Sequence, residues 1–184
     1  TFEDPIPELT NNIEPDPFTT NFQDSDVLGL HDITATIRQA AEDDNIKGIL
    51  LEPGLTYNSG FSTTRALRDA LEDFADSGKF VISHSKFYLL KTYYLASAGT
   101  EVHVNPAGIM EVRGFSAEVP FYKDMLDRLE VDPQVFYSGK FKSATEPFRR
   151  NDMSPENREQ VREYLTDYYD IFLDDVSRTR TIDR

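Results

Sequence analysis

The sequence predicts an α/β domain built on a mainly parallel sheet, from three observations. Short apolar runs suited to strands alternate with amphipathic stripes of ten or more residues. Gly, Pro, Asn and Ser punctuate the junctions between them. Neither an internal repeat nor a low-complexity segment interrupts that order. Connections of helical length between strands are what parallel pairing requires.

The elements follow from the N-terminus. The stretch up to Asp26 holds Pro5, Pro7, Pro15 and Pro17, seven acidic residues and neither Lys nor Arg. Proline withholds backbone donors and one-signed charge resists collapse, so residues 1–27 read as an acidic, Pro-rich, extended arm. A single domain is expected over residues 28–184. Leu30, Ile33, Ile37, Ala40 and Ala41 share one helical stripe that ends near Asp43, and Ile46–Glu52 suits a buried strand. A loop with Pro53, Gly54, Asn58 and Gly60 precedes a second helix marked by Leu67, Ala70, Leu71 and Phe74. Ser77-Gly78 ends it, with Gly78 supplying the left-handed turn. Phe80–Ser83 reads as a strand and Tyr88–Ala98 as an apolar helix. Glu101–Val104 and Ile109–Val112 read as two short strands around an Asn105-Pro106 corner. Phe121, Met125, Leu126 and Leu129 form a third stripe, and Val135–Tyr137 another strand. Ser154-Pro155, an N-cap followed by proline at the first helical position, opens a last helix with Val161, Leu165, Tyr168, Phe172 and Val176 on its face.

Composition narrows the function. Nineteen Lys and Arg against 33 Asp and Glu give a net charge of −14, which argues against nucleic acid and anionic lipid as partners. The absence of cysteine removes disulfides, thiolate metal sites and a thiol nucleophile. No apolar run reaches the about 18–20 residues of a membrane span, and no signal peptide opens the chain. Neither GxGxxG nor GxxxxGK[ST] occurs, so no nucleotide loop of those types is expected. His31, His84 and His103 carry no HExxH spacing; Glu101 and His103 share a strand face, but two ligands do not make a metal site. No metal or cofactor is expected. The acidic pairs Asp43-Asp44 and Asp174-Asp175 read as solvated faces, and the tyrosine pairs at 93–94 and 168–169 as packing.

One segment invites a chemical reading. Gly139-Lys140-Phe141-Lys142-Ser143-Ala144-Thr145-Glu146-Pro147-Phe148 follows a predicted strand, and in open α/β sheets reacting groups collect beyond strand ends. Phe141, Ala144 and Phe148 would keep water from the Lys142 amine. Desolvation lowers a lysine pKa from about 10.4, the condition for an amine to act as a base. Most lysines are nonetheless surface residues, and on physical grounds alone a solvated Lys142, or one paired with Glu146, is the plainer reading.

That segment, with Asn151-Asp152-Met153-Ser154-Pro155-Glu156-Asn157-Arg158 behind it, resembles the lysine-bearing region of the protease IV (SppA) signal peptide peptidase family in its long, two-repeat form. Ile33–Ala41 with Asp43-Asp44 and Ile46-Lys47-Gly48-Ile49 is similar to the family's first helix and strand. Tyr93-Tyr94-Leu95-Ala96-Ser97 is similar to its central helix, and Pro106, Gly108 and Gly114-Phe115 to the turn and loop beyond. The resemblance implies the ClpP/crotonase-like βαβ spiral fold and a Ser–Lys dyad without cofactor, in which lysine is the general base. The family lysine falls on Lys142; Lys140 does not match. Short relatives carry the nucleophilic serine at the start of the helix corresponding to Tyr88–Ala98, where Phe87-Tyr88-Leu89-Leu90-Lys91-Thr92 has none. Ser83 and Ser85 lie too early for that role and Ser97 too late, while Ser143 would point away from its neighbour Lys142.

The resemblance therefore implies an N-terminal repeat, truncated at both ends and inactive alone, whose missing C-terminal repeat supplies the serine and oxyanion hole. It further implies signal peptide remnants as substrates, a homo-oligomer (a tetramer) and a bacterial envelope location, associated with the inner membrane on the side outside the cytoplasm. Two other readings stay open. A non-catalytic peptide-binding or assembly module would leave turnover insensitive to Lys142. A crotonase-like acyl-CoA enzyme would bind CoA, and the acidic charge and lack of a glycine-rich oxyanion segment count against it.

Overall fold

Alternation in the sequence becomes alternation in space. The computed structural model describes residues 6–9, 28–54, 57, 59–136 and 138–183, and groups them into two units, Thr1–Arg113 with Asp174–Arg184, and Gly114–Leu173.

The first unit runs α1 (Leu30–Glu42), β1 (Gly48–Leu51), α2 (Phe61–Asp76), β2 (Phe80–Leu89), α3 (Leu90–Ala96) and β3 (Glu101–Glu111). The strands lie in the order β1-β2-β3 with both pairs parallel, the βαβ arrangement predicted from the sequence. Ile33, Leu67, Leu71, Phe74, Val81 and Leu95 form the core, with Ile37, Ala40 and Ala41 of the α1 stripe packed against it. Gly60 precedes α2, and the Thr64 hydroxyl returns a 2.8 Å hydrogen bond to its carbonyl. Ser77 and Gly78, at φ +87°, end that helix as the sequence predicts. Of the arm predicted over 1–27, only 6–9 lie within the described residues. Ile6 is buried in the core, and the carbonyls of Pro7 and Glu8 accept the N–H groups of Leu30 and His31 at 2.7 and 3.2 Å. Those are first-turn donors of α1, which no side chain caps. Asn58 lies outside the described residues.

Two boundaries differ from the sequence reading. β2 continues through Tyr88 and Leu89, which the sequence reading placed in a helix. Tyr88 pairs with Met110 across the ladder, and its buried hydroxyl meets Ser83 Oγ at 2.9 Å and the His103 carbonyl at 3.2 Å. The Asn105-Pro106 corner is an irregularity inside one strand, β3. Ser85 pairs with Val104 but Phe87 with Ile109, so the extra β3 residues loop out and the ladder resumes. Asn105 Oδ1 accepts the Ala107 N–H at 2.9 Å within that loop. Gly108 passes so close to the Lys86 carbonyl that a Cβ there would lie 2.2 Å from its oxygen.

The second unit holds α4 (Lys123–Arg128), a 3-10 turn (Ser143–Thr145), α5 (Glu146–Arg149) and most of α6 (Pro155–Arg180), whose end from Asp174 groups with the first unit. Ser154 caps α6 as predicted, its Oγ accepting the Asn157 N–H at 3.1 Å. The strand expected over Val135–Tyr137 does not form over its described residues; Tyr137 lies outside them. Residues 131–136 have no regular structure, and Phe136 is 92% exposed. A three-residue apolar run without a ladder neighbour gains neither hydrogen bonds nor burial from an extended conformation.

Candidate active site

The lysine-bearing segment is built from its own short-range bonds. Lys142 immediately precedes the 3-10 turn, and the Glu146 N–H closes that turn on the Ser143 carbonyl. Pro147 near the start of α5 favours helix at that point. The Arg149 Nε donates to Thr145 Oγ1 at 3.2 Å, and the Tyr122 N–H donates to the Pro147 carbonyl at 2.7 Å. Tyr122 also stacks on Phe148 at 6.0 Å between ring centroids.

At the centre lies Glu146, 2% exposed. Its carboxylate accepts the Ser154 N–H at 3.1 Å, the Ser154 hydroxyl, and the Asn157 side-chain amide at 2.9 Å. Arg149 stands 3.8 Å away as an ion-pair partner. Burial alone would push this carboxyl upward. The Ser154 hydroxyl and N–H, the Asn157 amide and the Arg149 charge outweigh burial and hold it below the ordinary carboxylate range. The motif thus folds as a knot: Glu146 ties the turn after Lys142 to the first turn of α6. Sequence reasoning gave Glu146, Ser154 and Asn157 no shared role, because polar residues eight and eleven apart form no recognised sequence signal.

Lys142 itself is exposed, and its amine meets no ion-pair or hydrogen-bond partner among the described residues. Phe141 and Phe148 are 53% and 45% exposed and Ala144 is exposed, so the expected apolar shield does not close over the amine within this unit. The alternative pairing of Lys142 with Glu146 does not form either; that carboxylate is occupied by Ser154, Asn157 and Arg149.

In the first unit, α3 begins at Leu90, and Thr92 closes its start, accepting the Leu89 N–H at 2.8 Å. No serine stands there. Ser83 and Ser85 are taken up by strand neighbours, bonding the carbonyls of Leu51 and Pro53 at 3.2 and 3.0 Å. Ser97 sits at the far end of α3, where it accepts from the Arg68 guanidinium at 2.5 Å.

Arg68 is the residue sequence reasoning missed most completely. It is fully buried, and its nitrogens donate to the carbonyls of Tyr94 and Asp175 and to the hydroxyls of Ser97 and Thr179. Glu72 pairs with its Nε at 2.9 Å, and the guanidinium lies 4.7 Å over the Tyr94 ring. Desolvation pulls its pKa below the ordinary guanidinium value, opposed by Glu72, Tyr94 and Asp175. Asp175, read from sequence as part of a solvated face, instead accepts the Tyr94 hydroxyl at 2.5 Å and pairs with Arg178 at 3.3 Å. The tyrosine pairs divide: Tyr94 is buried and stacked on Phe61 at 5.0 Å, whereas Tyr168 and Tyr169 are partly exposed. His103 bonds Glu101 at 2.8 Å on the expected shared face, and no cluster of three metal-ligating side chains forms among the described residues. No described helix is long and apolar enough to cross a membrane.

The chain is 39% identical over 83% of its length to "Protease 4" of Salmonella typhi, and 35% identical over 84% to "Protease 4" of Haemophilus influenzae. It is 29% identical over 82% to "Serine protease SPPA, chloroplastic" of Arabidopsis thaliana. It spans about a quarter of the length of these curated relatives, covering 25%, 25% and 22% of them respectively. Residues 73–184, which include α3, the Lys142 turn, the Glu146 knot and all of α6, match Peptidase family S49, and the chain belongs to that family.

Proposed function

We propose that this chain is the base-supplying part of a serine endopeptidase working by a Ser–Lys dyad. Lys142 is the general base, and the nucleophilic serine and oxyanion hole come from a second repeat beyond these residues. The observation that carries the reading is an S49 chain that presents a lysine on an anchored turn with its amine unoccupied. The relatives named as proteases, one of them a serine protease, support the reaction class.

In the reaction, the neutral Lys142 amine accepts the serine hydroxyl proton as Oγ attacks the scissile carbonyl. The resulting ammonium gives that proton to the departing amine, leaving an acyl-serine. Water then attacks the ester, its proton passing to Lys142 and on to the released serine. The substrates are remnants of cleaved signal peptides, met at the envelope membrane outside the cytoplasm by a homo-oligomer; the isolated chain has no turnover.

The test is peptide hydrolysis by the full-length protein, wild type beside Lys142→Ala and Lys142→Arg, with folding followed by circular dichroism. Both folded variants should lose turnover, because arginine keeps the charge but stays protonated at working pH. Wild-type turnover in either variant refutes the dyad and leaves a binding or assembly module.

A further inference from the structure

We propose that Glu146 is a positioning residue for the Lys142 base, acting through the 3-10 turn between them. The inference rests on the reading of Lys142 as the base. A buried carboxylate is costly unless its oxygens are paired, and an apolar side chain could fill the same space without that cost. Here the carboxylate gathers the Ser154 N–H and hydroxyl, the Asn157 amide and Arg149.

Two features turn that knot toward Lys142. The Glu146 backbone N–H closes the turn on Ser143, the residue after Lys142, so backbone and side chain of one residue bind in opposite directions. In addition, Ser154 and Asn157 stand at the start of a 26-residue helix, a rigid support for a reacting group. A base must be held within about 0.5 Å of its productive position, and a long lysine side chain meets that demand only when its backbone is fixed. Glu146 fixes the backbone from which Lys142 departs; it need not touch substrate.

The experiment uses the full-length protein and a peptide substrate, with kcat, KM and the pH profile of kcat/KM measured for wild type, Lys142→Ala, Glu146→Gln and Asn157→Ala. Glutamine preserves shape but turns an NH2 toward donors that need an acceptor. Glu146→Gln should lower kcat by about tenfold or more, the scale expected from a misplaced base. KM should stay within about twofold, because substrate contacts are untouched. The limb of the pH profile set by the base should shift as the surroundings of the amine change, which simple loss of stability does not produce. Asn157→Ala, which deletes one donor and keeps the Ser154 cap, should show a smaller change in the same direction. It also decides the matter should Glu146→Gln fail to fold. Wild-type kcat and pH limb in folded Glu146→Gln, or in Asn157→Ala where only that variant folds, overturn the positioning role while an inactive Lys142→Ala leaves the dyad standing. An active Lys142→Ala overturns both.

Discussion

Replacing Arg68 with alanine should destabilise the first unit more than any surface change can. The guanidinium is fully buried and makes contacts to α3 through Tyr94 and Ser97, to α6 through Asp175 and Thr179, and to Glu72 within α2. Removing it leaves carbonyls and a carboxylate facing a void. Breaking a buried ion pair from one side costs about 3–5 kcal/mol. Glu72 keeps a second partner, Arg178 at 2.9 Å, which puts the expected loss near the lower end, about 3 kcal/mol. For a chain of this size that is about 6–12 °C in Tm. Arg68→Lys should recover only part, since one ammonium cannot span acceptors on two helices as a planar fork does. The assay is thermal and urea unfolding followed by circular dichroism. Amide hydrogen exchange should localise the damage to the end of α6, whose Asp175 and Thr179 anchors are gone. A loss below about 1 kcal/mol, or protection of 174–180 unchanged from wild type, refutes the clamp, because such values belong to surface substitutions.

Two further predictions concern stability. Because Glu146 is held below its ordinary value, its contribution is complete above about pH 4.3 and is lost as pH falls through the folded-state value. Melting curves from pH 6 to pH 3 should show a drop at the acid end that Glu146→Gln flattens. Gly108→Ala should cost about 1–3 kcal/mol by overpacking, because the new Cβ meets the Lys86 carbonyl, a backbone group that cannot turn aside as a side chain can. Gly48→Ala should cost less in the same melt, since there the obstacle is the half-exposed Phe80 ring, which can turn aside.

What the sequence reveals of this fold is what short-range rules govern. The α1 and α2 stripes, the Ser77-Gly78 stop and the Ser154-Pro155 start depend on neighbours within one or two turns, and each stands where the pattern puts it. Tyr88 and Leu89 are different. Their residue types suit helix or strand, and only pairing with Met110 and Glu111 decides for strand. Arg68 is out of reach for the same reason: apart from Glu72 on its own helix, its partners lie 26 to 111 residues away, and its residue type signals exposure. The Lys142 segment stood out by its resemblance to a family, not by its physics. The knot that orders it is local, but three polar residues at such spacings have too many other roles to be assigned without coordinates.

The exposure of Lys142 carries its own consequence. General-base catalysis by an amine needs water kept away from it, because water favours the charged form. Phe141 and Phe148 are apolar but exposed, so within its own unit the segment offers material for a dry pocket without closing one. If Lys142 is the base, water must be removed from its amine by something that arrives: the serine-bearing repeat, the peptide substrate, or both. The amine would then be desolvated only when the nucleophile is in place. On this reading the dry surroundings that a base needs come with the assembled site, where proton transfer can be followed at once by acylation.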